Sequence, residues 1–117
     1  MSIPIEDHAL LSNCRTAALI SREGDIDWLC LPRLDSASTF GALLGDADGG
    51  RWRLRPRADG ARATRLYDDD TFILVTRWET PTGVAEVHDF MPVGSDPHVA
   101  IDRTDLLRLV VGISGVV

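Results

Sequence analysis

Acidic side chains are the residues of this chain best suited to catalysis, because 18 of its 117 residues are Asp or Glu. Asp25 and Asp27 stand two positions apart on a predicted strand and could share one face of a sheet, as could Glu86 on its own strand. Paired carboxylates can act as general acid and general base. Nothing in the sequence sets these carboxylates on either side of a cleft, and close pairs arise by chance in so acidic a chain. We therefore assign no catalytic carboxylate.

The histidines give no stronger indication of catalysis. His8, His88 and His98 lie far apart in the sequence, and none has a Ser, a Cys or a carboxylate at a spacing that requires a catalytic triad. His88 and Asp89 are neighbours on a predicted strand, so their side chains point to opposite faces. We interpret all three histidines as surface or loop residues and assign no catalytic residue.

Metal and cofactor sites are not indicated either. Cys14 and Cys30 are interpreted as reduced thiols that fill space in strands, and no second CxxC pair or His/Cys cluster supports zinc. Residues 45–50 and 68–70 are rich in Asp but lack the further oxygen ligands of a calcium loop, so both are interpreted as solvated turns. We expect neither a metal nor a cofactor.

The tryptophans are the residues that could stack against a sugar ring. Trp28, Trp52 and Trp78 all lie in predicted strands among apolar neighbours, where a Trp usually belongs to the core. Charged and apolar residues alternate in residues 51–55. This alternation predicts that Trp52 and Leu54 face the core and that the three arginines face water. We favour a core position for all three tryptophans and keep Trp28 as the sugar-stacking candidate.

Short apolar runs separated by turn residues predict an all-β fold. Residues 16–21 and 26–31 flank a turn that contains Gly24, which is typical of a hairpin, and residues 9–11 can add a strand to it. One short helix is predicted near residues 36–44, with Phe40, Leu43 and Leu44 on one face.

A second hairpin is predicted further along the chain. Residues 72–80 and 84–91 flank a turn with Pro81 and Gly83 at favourable positions. Further strands are predicted at residues 51–55, 61–67 and 106–113. The spacing of these strands favours a single antiparallel β-sandwich.

The composition excludes several classes of partner. Hydrophobic residues make up 44% of the chain and charged residues 26%, which is typical of a globular protein. The formal net charge of −6 disfavours nucleic acid and anionic membrane surfaces as partners. No stretch approaches the roughly 18 apolar residues of a membrane span, and no secretory signal precedes the first strand. We expect a cytoplasmic protein.

Several segments form an ordered set that is more specific than any single short motif. They are residues 5–20 (IEDHALLSNCRTAALI), 24–36 (GDIDWLCLPRLDS), 43–46 (LLGD), 50–52 (GRW), 76–83 (TRWETPTG) and 89–92 (DFMP). This set resembles the opening of bacterial trehalases and glucoamylases of glycoside hydrolase family 15 over nearly the whole chain. His8, Ser12 and Leu34 stand where that family usually has Tyr, Gly and Phe.

The resemblance implies a supersandwich-like N-terminal β-sandwich that precedes a linker and an (α/α)6 barrel. Such barrels hydrolyse α-glucosidic bonds with inversion and hold both catalytic glutamates. Residues 1–117 are therefore expected to form a non-catalytic domain without activity of its own, incomplete at its C-terminal end. Its partner would be the barrel, and its open strand edges are expected to support a homodimer.

Residues 13–16 and 31–36 stand out within the resembling segments. Asn13, Arg15, Arg33 and Asp35 are our candidates for a face that docks the barrel near its active-site rim, because loops with polar tips suit presentation better than packing. The alternative, that these residues only brace the sandwich, stays open.

Two classes of function are compatible with the sequence. The leading one is a structural and docking domain of a trehalase-like α-glucoside hydrolase, with glucoamylase-type or dextran-type specificity next. The alternative is an independent carbohydrate-binding or protein-interaction module. An exposed apolar face would favour the first, and affinity for oligosaccharides alone would favour the second.

Overall fold

The computed structural model describes residues 3–45, 49–93 and 103–117, and it confirms the predicted all-β fold. Two antiparallel sheets form a sandwich-like arrangement. Sheet A contains β1 (His8–Ser12), β2 (Ala17–Ser21), β3 (Asp25–Cys30), β4 (Ser38–Phe40) and β5 (Trp52–Arg53). Sheet B contains β6 (Arg62–Tyr67), β7 (Leu74–Thr80), β8 (Gly83–Phe90) and β9 (Leu107–Gly115). Short 3-10 turns lie at Ile5–Asp7 and Ala42–Leu44.

The first predicted hairpin is confirmed as β2 and β3, and β1 joins its outer side. Gly24 closes the hairpin turn with a φ of +84°, a conformation that favours glycine. A Cβ atom at this position would collide with the carbonyl oxygen of Leu54. The turn therefore requires glycine both for its backbone angle and for the close approach of the chain.

The second predicted hairpin is confirmed as β7 and β8, in register from Leu74 opposite Asp89 to Thr80 opposite Gly83. The Thr80 hydroxyl accepts a hydrogen bond from the Gly83 N–H over 3.0 Å and so closes the turn. β6 pairs with β7 on one side and β9 pairs with β8 on the other, which gives sheet B the order β6-β7-β8-β9.

Two local predictions about the middle of the chain are wrong. Phe40 does not share a helix face with Leu43 and Leu44, because Ser38–Phe40 is a strand that pairs with β3 and only Ala42–Leu44 is a helical turn. Ladder pairing to a buried central strand overrides the weak local preference for helix. Trp52 is exposed rather than buried, since β5 is only two residues long and lies at the margin of sheet A.

The core lies between the inner faces of the two sheets. Its central cluster consists of buried apolar side chains, mostly from sheet A: Leu11, Ala18, Ile20, Ile26, Leu29, Leu74 and Met91. Leu11, Ala18 and Leu29 stand opposite one another across three strands, so their side chains share the inner face. In the part of the chain that the structure describes, no helix has the length and apolarity needed to cross a membrane.

Candidate functional site

The turn of residues 12–16 is held by the Asn13 side chain. Its Oδ1 accepts hydrogen bonds from the N–H groups of Arg15 and Thr16, each over 3.0 Å. The Ser12 hydroxyl donates to the carbonyl of Thr16 over 2.9 Å. Cys14 sits at the tip with a φ of +72° and is exposed, so its predicted place in a strand is wrong. The Asn13 carboxamide oxygen is thus committed to shaping the turn.

The loop of residues 31–36 packs beside this turn. Its Leu31–Pro32 peptide bond is cis, and the Arg33 N–H donates to the Ser36 hydroxyl over 3.1 Å. The Leu34 N–H donates to the Arg15 carbonyl over 3.3 Å, which joins the loop to the turn. We call the turn and the loop together the polar end of sheet A.

The structure brings all four sequence-predicted candidates to this polar end. Arg33 donates to both carboxylate oxygens of Asp35, over 3.0 and 2.7 Å, and each side chain is 69% exposed. Arg15 is also exposed, whereas Asn13 is half-buried. An exposed ion pair of this kind contributes little to stability.

The three tryptophans have different environments. Trp78 is buried, as predicted. Trp28 is half-buried and stands in a row with Leu10 and Leu19, which lies on the face of sheet A opposite to the core. The core interpretation of Trp28 is therefore wrong, and this outer apolar row is where a sugar ring would have to stack.

Asp25 is the centre of a charge cluster that the sequence did not indicate. Its buried carboxylate accepts hydrogen bonds from Nε and Nη2 of Arg53, each over 2.8 Å, and from Nη1 of Arg51 over 3.3 Å. Burial alone would raise the pKa of Asp25, but the hydrogen bonds and charges of Arg53 and Arg51 outweigh burial and lower it. The same hydrogen bond raises the pKa of Arg53. The three arginines of residues 51–55 are exposed, as predicted, and Arg51 and Arg53 also bond this buried carboxylate.

Asp89 and Arg108 form a second charge cluster, between β8 and β9. Arg108 donates through Nε to Asp89 Oδ1 over 2.7 Å, and its other nitrogens donate to backbone oxygens of Trp52 and Gly24. The Arg108 guanidinium carbon lies 5.2 Å from the centre of the Trp52 ring. Burial raises the pKa of Asp89, and the bond from Arg108 offsets only part of this effect. The cluster ties the two sheets together.

His8 and Asp27 form a third pair, with His8 Nε2 lying 2.8 Å from Asp27 Oδ2. The His8 side chain is 0% exposed, so its interpretation as a surface residue is wrong. His88 is half-buried, and its Nε2 lies 3.3 Å from Oε1 of Glu86. His98 falls outside the described residues. Asp25 and Asp27 therefore each have their own hydrogen-bond partners rather than forming one carboxylate pair.

β9 is an apolar strand at the edge of sheet B. Its apolar side chains are exposed from 38% for Leu107 to 60% for Val110. Leu107, Leu109 and Val111 stand opposite Phe90, His88 and Glu86 on the outer face, and Val110 stands opposite Val87 on the inner face. The outer face of β9 is thus apolar and open, and on the inner face Val110 adds an exposed apolar side chain beside the buried Arg108.

The edge of sheet A at β1 is protected, in contrast to the edge at β9. The Tyr67 hydroxyl accepts a hydrogen bond from the Leu10 N–H over 3.1 Å and donates to the Leu10 carbonyl over 2.8 Å. This side chain from sheet B occupies the outward backbone groups of Leu10, at the middle of β1, and so hinders further strand pairing there. Within the described residues, β9 pairs with β8 alone.

Within residues 3–45, 49–93 and 103–117, no group of three or more His, Cys, Asp or Glu side chains could hold a metal ion. Of the first predicted acidic turn, residues 46–48 lie outside the described part. Cys14 and Cys30 are both free thiols. The chemistry of the described residues is that of ion pairs and apolar surface.

Comparisons with known proteins agree with the resemblance noted from the sequence. Residues 1–117 match a family model described as trehalase-like, N-terminal. A trehalase of Mycolicibacterium smegmatis is 45% identical over 91 residues, covering 78% of this chain and 14% of that protein. A trehalase of Mycobacterium tuberculosis is 43% identical over 91 residues, covering 78% of this chain and 13% of that protein.

More distant relatives show the same partial coverage. Trehalase 1 of Sulfolobus acidocaldarius is 35% identical over 96 residues, covering 82% of this chain and 17% of that protein. No solved structure matches the chain. The match over residues 1–117 shows that this chain belongs to the family of trehalase-like N-terminal domains.

Proposed function

We propose that this chain is a non-catalytic structural and docking domain of a trehalase-type α-glucoside hydrolase. The catalytic glutamates would lie in an (α/α)6 barrel of the same polypeptide, and hydrolysis would proceed with inversion. Glucoamylase-type specificity is the next candidate. Support comes from the family match and from relatives that are named trehalases and are several times longer than this chain.

The observation that carries this proposal is the apolar surface of β9. Leu109, Val110 and Val111 are each at least 42% exposed, although they follow one another in a strand with a single charged residue, Arg108. Covering each of them would stabilise a contact by about 1 to 2 kcal/mol. An open apolar strand of this kind marks an interaction surface. The occupant we assign to it is the remainder of the same polypeptide, because the chain spans only 14% of a trehalase relative.

The polar end of sheet A is proposed as a second contact with the barrel, near its active-site rim. The exposed Arg33–Asp35 pair and the exposed Leu34 side chain lie at the tip of a loop that the Asn13 turn holds in place. Arg33→Ala in a full-length protein should change kcat or KM while leaving the free energy of unfolding unchanged. If kinetics and stability are both unchanged, the rim assignment is wrong.

An independent carbohydrate-binding module is the second candidate function. It rests on Trp28, which lies on the outer apolar row of sheet A with Leu10 and Leu19. The two candidates differ in what the chain does alone: a module binds oligosaccharides, and a docking domain does not.

Two measurements on the purified chain test the leading proposal. We expect no release of glucose from trehalose or maltose, and no heat of binding when maltooligosaccharides are titrated into the chain. Turnover would contradict the non-catalytic assignment. Binding that Trp28→Ala abolishes, while Trp52→Ala leaves it intact, would favour the module.

A further inference from the structure

A cleft of about 460 Å³ opens between β1 and β6, which are edge strands of the two sheets. The apolar side chains that line it come from both sheets and include Ala9, Ala63, Tyr67 and Leu74. Its charged side chains are Arg65 of β6 and Arg22, which follows β2. A largely apolar cleft of this volume with a few polar groups is typical of sites for small molecules.

Alternation along β6 turns the Arg65 side chain toward sheet A. Arg65 stands opposite Thr76 of β7, which is buried on the inner face, whereas Arg62 is exposed on the outer face. The guanidinium of Arg65 then reaches the other sheet. Its Nη1 donates to the carbonyl oxygen of Ile20 over 3.0 Å, and its Nη2 donates to that of Asp7 over 3.1 Å. These two bonds hold the cation at the border between the sheets.

The charge of Arg65 is not paired with a carboxylate of its own. Both of its hydrogen bonds within the described residues go to backbone oxygens, and the Asp7 carboxylate accepts instead from Nε of Arg22 over 3.0 Å. Burial lowers the pKa of Arg65, and the positive charge of Arg22 lowers it further. A half-buried guanidinium beside a second cation is stabilised by an added anion. The charge of the cleft therefore favours an anionic ligand.

We propose that this cleft binds a small organic carboxylate and that Arg65 holds the charged end of the ligand. The guanidinium has N–H donors left after its two backbone bonds, in a fork that carboxylates fit. The apolar body of the ligand lies against the Tyr67 ring, which is held in place because its hydroxyl bonds both backbone groups of Leu10. β6 and β9 are opposite edges of sheet B, so this site does not depend on the proposed docking through β9.

Benzoate and its uncharged analogue benzamide test the site in the intact chain. In NMR titrations of the 15N-labelled chain at neutral pH, benzoate should shift the amide signals of Ala9 and residues 63–67 until they saturate. Benzamide should bind at least about tenfold more weakly, because a hydrogen bond between charged groups contributes more than a neutral one. Acetate has the charge without the apolar body and should also bind more weakly. Benzamide or acetate binding as tightly as benzoate, or benzoate shifts that do not saturate, would overturn the proposal.

Arg65→Gln and the matched control Arg62→Gln separate the cleft from a general effect of charge. Each removes one positive charge from β6, but the Arg62 side chain is exposed on the outer face, away from the cleft. Arg65→Gln should weaken benzoate binding at least about tenfold, because it removes the charged hydrogen bonds to the carboxylate. Arg62→Gln should leave the affinity nearly unchanged. Equal effects of the two variants would contradict the role given to Arg65.

Ala63→Leu provides a test that keeps Arg65, whose backbone bonds also join the sheets. Ala63 is half-buried and lines the cleft, so a larger side chain there fills part of the space that the ligand would occupy. We expect benzoate to bind this variant more weakly, while the guanidinium and its two backbone bonds remain. An affinity for benzoate equal to that of the wild type, in a folded Ala63→Leu chain, would show that the ligand does not occupy the cleft.

Discussion

Asp89 accepts a hydrogen bond from Nε of Arg108 over 2.7 Å, and both side chains are 1% exposed. The two remaining guanidinium nitrogens donate to the carbonyl oxygens of Trp52 and Gly24, each over 2.8 Å. One side chain of β9 therefore joins sheet B to the hairpin turn and the short strand β5 of sheet A.

Arg108→Ala should destabilise the chain strongly, because it leaves the Asp89 carboxylate buried without its cation. We expect the free energy of unfolding in urea to fall by about 3 to 5 kcal/mol. Arg103→Ala is the matched control. Nε of Arg103 also bonds a carboxylate, Oδ2 of Asp105 at 3.0 Å, but the Arg103 side chain is exposed. The control should change stability by less than about 1 kcal/mol. Equal losses would mean that Arg108 is not a buried cross-link.

The Asp25 cluster predicts a specific dependence of stability on pH. The pKa of Asp25 is lowered in the folded state, so the ionised carboxylate stabilises the fold above its ordinary value of 3.8. This contribution is lost as the pH falls from that value through the folded pKa. Asp25→Asn should cost about 2 kcal/mol at neutral pH and should flatten the acid side of the stability curve.

The matched control for Asp25→Asn is Asp35→Asn, because Asp35 also bonds an arginine through two oxygens but is exposed. Urea midpoints measured at several pH values should be nearly unchanged by Asp35→Asn. An Asp25→Asn curve parallel to that of the wild type would show that the cluster does not carry the acid sensitivity.

Gly24→Ala tests the close approach at the first hairpin. The new Cβ would meet the Leu54 carbonyl oxygen at a residue whose φ is +84°. Gly60→Ala introduces a Cβ at a similar φ of +76°, but nothing lies within 4 Å of it. We expect a loss of about 1 kcal/mol for Gly60→Ala and a clearly larger loss for Gly24→Ala in thermal or urea unfolding. Equal losses would indicate that the chain moves freely away from Gly24.

The open edge of β9 predicts self-association of the isolated chain. A strand with apolar residues on both faces and without Pro or Lys is a template for pairing with a second copy. We expect light scattering after size-exclusion chromatography to show dimers or larger species, and Leu109→Lys with Val111→Lys to restore a monomer. Leu66→Lys, on the exposed outer face of β6, is the control and should leave association unchanged. A wild-type chain that elutes as a clean monomer would contradict this prediction.

The two hairpins could be predicted because their determinants are local. Gly24 in the first turn, and Pro81 with Gly83 in the second, act within a few residues of the strands that they join. Alternation then indicates which side chains of β7 and β8 face inward, and Trp78 is buried accordingly. The apolar character of β9 was also readable, since it is a property of consecutive residues.

The charge clusters could not be predicted because their partners are distant in the sequence and lie where alternation fails. Asp25 and Arg53 are 28 positions apart, and His8 and Asp27 are 19 positions apart. The register between β2 and β3 shifts after Leu19, so Asp27 is an extra residue that the period of two does not place. The loop residues of the polar end of sheet A could be singled out from the sequence. The hydrogen bond from the Leu34 N–H to the Arg15 carbonyl, which joins the two loops, could not, because it forms only in the folded chain.

If β9 docks the catalytic part of a trehalase-type polypeptide, as we propose, a chimera provides the most direct test. In this chimera the present chain replaces the matching segment of the Mycolicibacterium smegmatis trehalase. The chimera should hydrolyse trehalose. Leu109→Lys with Val111→Lys should reduce that activity at least about tenfold, which corresponds to a free-energy loss of about 1.4 kcal/mol. The control Leu66→Lys should leave the activity unchanged. Full activity in the β9 variant, with both parts folded, would contradict the claim.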